Sequence, residues 1–301
     1  MFDGVISGTI RTVQLELLAD GATLERVFTG TIWGEGPVWI PHIRSVRWSD
    51  IPNDRILDFD AVTGRTRVHR EGVEFTNGRT IDLEGHVVQC SHGRRSVERE
   101  LNGVPHTLIG HFGEHRLNSP NDVVVASDGS IWFTDPPYGI FDAREGHPGN
   151  MEYGGCFVFR LAPGGELTAV ITDRDRPNGL AFSPDERILY VSDTAEGDGD
   201  IHAYDVDVNA GTATNGRRFA SPRPGIADGF RVDVGGRVWT SAADAVHVYS
   251  PDGNELLQIT VPETIANVCF GGDDGRDLYI TASTSLYRIR TATTQAKRPA
   301  R

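Results

Sequence analysis

Six oxygen-bearing side chains recur in phase along the chain: Glu35, Asn77, Asn121, Asn178, Asp228 and Asn267. Each lies seven residues before a turn, counted back from His42, Glu84, Asp128, Asp185, Gly235 and Asp274. Their contexts are GEGPVW, TNGRTI, PNDVVV, PNGLAF, ADGFRV and ANVCFG. A single Asn beside Gly or Asp is ordinary turn chemistry, and Asn121 taken alone reads that way. Turn chemistry explains neither Glu35 nor why every copy offers a carboxylate or an amide. Two carboxylates and four amides, with no His or Cys, make an all-oxygen set that selects a hard divalent cation such as Ca²⁺, Mg²⁺ or Mn²⁺.

A cation with open positions polarises a carbonyl or phosphoryl oxygen and lowers the pKa of bound water. Such a site needs a base. Asp228 is the expected one, being short and next to Gly229, where backbone can approach closely. Glu35 lies in the apolar stretch TIWGEGPVWI, which suits a fixed ligand better than a proton carrier.

The elements that must position these groups are strands. Turn signals are frequent, and the short segments VVQC, IWFTD, LYVSD, VWTS and LYITAS are β-branched or aromatic. The six phased positions are spaced by 42, 44, 57, 50 and 39 residues, the length of a four-stranded propeller blade. The pattern predicts a single all-β domain over residues 1–301: a six-bladed β-propeller around a central channel. If each seven-residue run is the innermost strand, the phased residues ring one mouth. Val13 to Phe28, within an N-terminal segment 1–30, is expected to help close the ring, and 291–301 to be a flexible tail.

The longest interval contains DPPYGIFDAREGHPGNMEYGG, residues 135–155, carrying Tyr138, Phe141, His147 and Tyr153. It is either a variable surface loop or a pocket wall whose aromatics bind a sugar face. Tyr138 is the candidate substrate contact. CSHGRR ends the strand of the second unit. His92 and Arg94 either donate to substrate hydroxyls or serve as a satisfied structural histidine and a solvated arginine.

The bulk composition narrows the partners. The 301 residues carry 42 acids against 29 bases, a net charge of −13, which argues against nucleic acid or an anionic membrane. Cys90, Cys156 and Cys269 lack metal-site spacing and read as free thiols in a reducing compartment. With neither an 18-residue apolar run nor a signal-peptide pattern, the expected location is cytoplasmic. The sequence carries no signal for an oligomeric state.

GEGPVW, LNSPNDVVVASDGSIWFTDPPYG, RPNGLAFSPDERILYVSD and ADGFRVDVGGRVW together resemble the senescence marker protein/gluconolactonase family, also called regucalcin-like. The resemblance runs from about Gly34 to Thr281 and is nearest the bacterial gluconolactonase branch. It implies a six-bladed propeller with one divalent cation, Ca²⁺ first and Mg²⁺, Mn²⁺ or Zn²⁺ as alternatives. The implied ligands are Glu35, Asn121, Asn178 and Asp228, with Asp228 also the general base. Asn121 would touch the metal or the substrate, directly or through water. Asn77 and Asn267 are left as supporting or turn residues. The chain departs from the regucalcin-like branch at Ser119-Pro120, where that branch has an Arg just before the Asn, so its substrate contacts do not transfer. The implied reaction is opening of an aldonolactone such as glucono-1,5-lactone. Rival expectations are phosphotriester hydrolysis at the same site and a non-catalytic calcium-binding propeller. A quinone-dependent redox propeller is disfavoured because the ring has no basic cluster.

Overall fold

The inner strands are Gly34–Ile40, Thr76–Ile81, Val123–Val125, Pro177–Phe182, Ala227–Val232 and Ile265–Gly271. In this computed structural model, which describes residues 5–6, 10–12, 15–197 and 199–299, each of them starts a four-stranded antiparallel blade. Each inner strand touches the inner strand of the next blade, and the last touches the first. The result is the six-bladed propeller that the repeat predicts.

The closing strand is Leu24–Thr29, shorter than the Val13–Phe28 stretch expected to supply it. It completes the last blade by pairing with Ser285–Arg290, Leu286 opposite Phe28. The ring is thus fastened by one strand from each end of the chain. Val5–Ile6 and Ile10–Thr12 add further edges to the last two blades. The rest of 1–14 lies outside the described residues.

Blade packing follows from the second strand of each repeat. In three of the blades its tryptophan is buried against a neighbouring blade. Trp132 meets Phe182 edge-on at 5.4 Å and Trp239 meets Phe270 at 5.5 Å. Trp48 meets Phe28 of the closing strand at 5.6 Å. Trp48, Trp132 and Trp239 are fully buried, and each contributes roughly 5 kcal/mol of apolar transfer as an upper bound. The hydroxyl residue beside the motif Asp is a cross-link. Ser49 Oγ donates to Asn77 O at 3.3 Å, Thr134 Oγ1 to Asn178 O at 2.6 Å and Ser192 Oγ to Asp228 O at 2.8 Å, each time in the next blade. The Asp then holds the loop entering its own blade: Asp193 accepts from the backbone N–H of Asp175 and of Arg176.

All inner strands run the same way along the axis, so their starts form one mouth and their ends the other. Residues 291–299, expected as a flexible tail, are instead docked at the second mouth. Ala296 N donates to Val232 O, and Gln295 bridges Asp233. The Arg298 guanidinium donates to Val125 O at 2.7 Å, to Asp82 O at 3.4 Å and to Ile81 O. Those carbonyls stand where inner strands end, and a five-donor fork suits them; Asp82 O also accepts the N–H of Gly85 at 3.3 Å. No helix among the described residues is long and apolar enough to cross a membrane.

Candidate metal centre and substrate pocket

Each phased residue stands close to the start of its inner strand, and all but Asn121 sit beside a break in pairing. The register shifts between Glu35 and Val38, Thr76 and Arg79, Pro177 and Leu180, Ala227 and Phe230, and Ile265 and Asn267. A bulge leaves a residue unpaired and re-aims its side chain. The glycine that follows has a separate cause. A Cβ on Gly78 would lie 2.5 Å from Asn121 O, on Gly179 2.3 Å from Asp228 O, and on Gly229 2.0 Å from Asn267 Cγ. These glycines let adjacent inner strands close around a narrow axis.

A cavity of about 400 Å³ opens at this mouth. Five of the six phased residues line it: Glu35, Asn77, Asn121, Asn178 and Asp228. Asn267 does not. It lies behind Glu35, donating from Nδ2 to Glu35 Oε2 at 3.1 Å, while Gly36 N donates to the same oxygen at 2.7 Å. One carboxylate oxygen of Glu35 is therefore tied down, and among the described residues no donor reaches the other.

Burial pushes the Glu35 carboxyl up to about 7 despite those two donors, with Asp122 and Glu145 adding to the rise. Asp228 is held well above the ordinary carboxylate range, first by burial and then by Glu35, Glu145 and Asp122. Among the described residues no hydrogen-bond donor reaches the Asp228 carboxylate.

The donor set fits a hard divalent ion, as an oxygen without a partner shows. Asn77 Oδ1 is buried and unsatisfied, since the same amide's Nδ2 is spent on His92 Nε2 at 3.2 Å. Such an orphan carbonyl costs on the order of 1–3 kcal/mol and is the kind of group a cation or its water shell satisfies. The two carboxylates would balance a divalent charge.

His92, the candidate substrate donor, does not line the cavity. It is fully buried behind the ring, and burial lowers its pKa to about 4. Its Nδ1 faces Glu145 O at 3.0 Å and its Nε2 faces an amide donor, which assigns a neutral ring protonated at Nδ1. It ties the ring to the 135–155 loop. Arg94 also lies away from the cavity, donating to Val73 O and Glu98 Oε1, each at 3.3 Å. Neither side chain lines the cavity, because each is engaged by partners of its own.

The loop itself divides. Tyr138 lines the cavity with its hydroxyl on Thr194 Oγ1, and burial raises its pKa to about 12. Tyr153 packs inward on Phe112 and Phe159 and bonds Asp135. His147 lies against Phe75 and Glu74, and Phe141 is exposed. The residue that the sequence reading missed is Glu145, which lines the cavity with Trp33, Thr194 and Ile226. In DAREGH it looks like part of a solvated charge run. A backbone hook brings it in, because His92 grips its carbonyl.

A second acidic group, Asp82, Glu84 and His86, lies at the other end of the second inner strand. Asp82 Oδ1 accepts the N–H groups of Glu84 and His86, and Oδ2 pairs with Arg99 Nε at 2.8 Å. A turn and an ion pair account for it. All three cysteines are buried and free.

A sequence model described as the SMP-30/Gluconolactonase/LRE-like region matches residues 33–284. The chain is 31% identical, over a 304-residue alignment, to a gluconolactonase of Zymomonas mobilis, covering 93% of this chain and 85% of that protein. It is 31% identical over 259 residues to a pentonolactonase of Haloferax volcanii, covering 83% and 81%. Among solved structures, a gluconolactonase from Xanthomonas campestris is 37% identical, with 96% of each chain covered and a TM-score of 0.90.

Proposed function

The chain belongs to the SMP-30/gluconolactonase/LRE-like family, and on that premise we propose that it is a divalent-cation-dependent lactonase. The substrate is an aldonolactone such as glucono-1,5-lactone, and the product is the open sugar acid. The observation that carries the reading is the convergence of Glu35, Asn121, Asn178 and Asp228 on one cavity of about 400 Å³, where one Glu35 oxygen and the Asp228 carboxylate lack a protein donor among the described residues.

Glu35, Asn121, Asn178 and Asp228 are the proposed ligands, with Ca²⁺ as the first candidate ion. When bound, the ion supplies Lewis acidity to the lactone carbonyl. Asp228 does the proton work. Its carboxylate, without a competing donor, accepts a proton as the water oxygen bonds to the carbonyl carbon. The C–O bond to the ring oxygen then breaks, and Asp228 returns the proton to that oxygen, leaving a hydroxyl and a carboxylic acid. Glu35 is held rigid by Gly36 and Asn267, as a ligand requires and a proton carrier does not. Tyr138 and Thr194 form a hydroxyl wall suited to a polyhydroxy ring.

The test is the rate of glucono-1,5-lactone opening with EDTA, after Ca²⁺ is restored, and in Asp228→Ala. Loss in EDTA, recovery with Ca²⁺ and a loss of at least ~100-fold in the variant are expected. An unchanged rate in all three would overturn the reading.

A further inference from the structure

The cavity lining has an unusual charge balance. Glu35, Glu145 and Asp228 supply three carboxylates, and no Lys, Arg or His lines it among the described residues. Arg144, next to Glu145, is turned away to pair with Asp142 at 2.7 Å and is exposed. Arg176, near enough to influence Tyr138, is exposed at the rim and outside the lining.

A divalent ion would balance Glu35 and Asp228. It leaves Glu145 over, and no hydrogen bond or ion pair engages that carboxylate among the described residues. Nor is Glu145 a loose loop residue. Its carbonyl accepts from His92 Nδ1, its N–H donates to Asp142 O at 3.0 Å, and Gly146 is pressed so close that a Cβ there would lie 2.1 Å from Gly139 O. The backbone is built to keep this side chain at the cavity.

We infer that Glu145 sets the charge selectivity of the pocket. It admits uncharged polyhydroxy lactones, whose hydroxyls it accepts, rejects lactones bearing a fixed anionic group, and hastens departure of the product. This rests on the lactonase reading. The reaction turns a neutral ring into a carboxylate, so a fixed negative charge facing the substrate discriminates product from substrate by charge alone. Like charges within several Å in a half-desolvated site are worth on the order of tenfold in binding or more.

The experiment compares kcat/KM for glucono-1,5-lactone and 6-phosphoglucono-1,5-lactone, and the inhibition constant of gluconate, in the Ca²⁺-loaded protein and in Glu145→Gln and Glu145→Ala. Wild type should prefer the neutral lactone. Both variants should lower that preference on the order of tenfold and bind gluconate correspondingly more tightly. Added NaCl should raise the relative rate on the anionic lactone in wild type and lose that effect in the variants. A preference and a gluconate constant unchanged in folded variants, or a wild-type preference for the phosphorylated lactone, overturns the inference. If neither variant folds, the salt dependence of wild type decides alone, and a flat response sinks the proposal. Failure of wild type to open either lactone would instead remove the lactonase reading.

Discussion

Asn267 and Glu35 stand 232 residues apart in sequence and 3.1 Å apart in space, the amide of the last blade gripping the carboxylate of the first. The contact crosses the seam where the ring closes. Closure of the fold and the aim of this carboxylate are thereby linked, because one of the two donors that hold Glu35 arrives with the sixth blade and the other, Gly36 N, is local.

Glu35 and Asp228 should separate when each loses its charge. Glu35→Gln weakens a ligand by taking away its charge without touching the base, so its activity should return at high Ca²⁺. Asp228→Asn keeps a ligating oxygen but cannot take a proton, so kcat should stay down by about 10²–10⁴-fold however much Ca²⁺ is added. Calcium titrations of kcat check this, and equal rescue of both variants would show that Asp228 is a ligand alone.

Gly229→Ala should unseat the seam. Its Cβ would meet Asn267 Cγ at 2.0 Å, so Asn267 must move and release Glu35. Overpacking of this kind costs about 1–3 kcal/mol or more. Gly164→Ala, with open space around it, is the control. Denaturation midpoints compare the two, and calcium affinity should fall in the first only.

Glu263 predicts an acid-dependent term in stability. Partial burial pushes it up, but donors from Ser285, Tyr287 and Thr284 outweigh this and hold its pKa at about 2, against 4.5 for an ordinary glutamate. A lowered folded pKa stabilises the fold above the unfolded value, and that stability is lost as pH falls. Wild type should therefore exceed Glu263→Gln by about 1 kcal/mol near neutrality, discounted for partial exposure. The gap should close between pH 4.5 and about 2. Urea melts across that window test it, and a constant gap would show that charge is not the cause.

Arg298→Ala should lower stability by about 1–2 kcal/mol, because the carbonyls of Ile81 and Val125 lose the guanidinium donor. Activity should not change, since Arg298 is at the mouth remote from Asp228. A drop in kcat/KM at unchanged melting temperature would contradict that separation.

What could be read from the sequence follows from what repeats. Glu35, Asn77, Asn178 and their counterparts were visible because six copies place them in one phase, and the blade count came with them. Glu145 was hidden because it belongs to the one long loop that has no counterpart in other blades. His92 was misdirected because the facing of a strand-end residue depends on what packs over it. Arg298 docks on backbone carbonyls, which every residue carries and no motif announces. The Asn-Gly and Asp-Gly pairs were seen, but their turn propensity is secondary: Gly78, Gly179 and Gly229 are there because a neighbouring blade occupies the space of a side chain.

The docked segment around Arg298 also determines traffic. Residues 295–298 lie over inner-strand ends at that mouth, and the cavity lined by Tyr138 and Ile226 opens at the opposite one, so on the lactonase reading whatever enters past those two residues leaves past them as well. Arrival and departure share one doorway, so successive turnovers queue instead of flowing through.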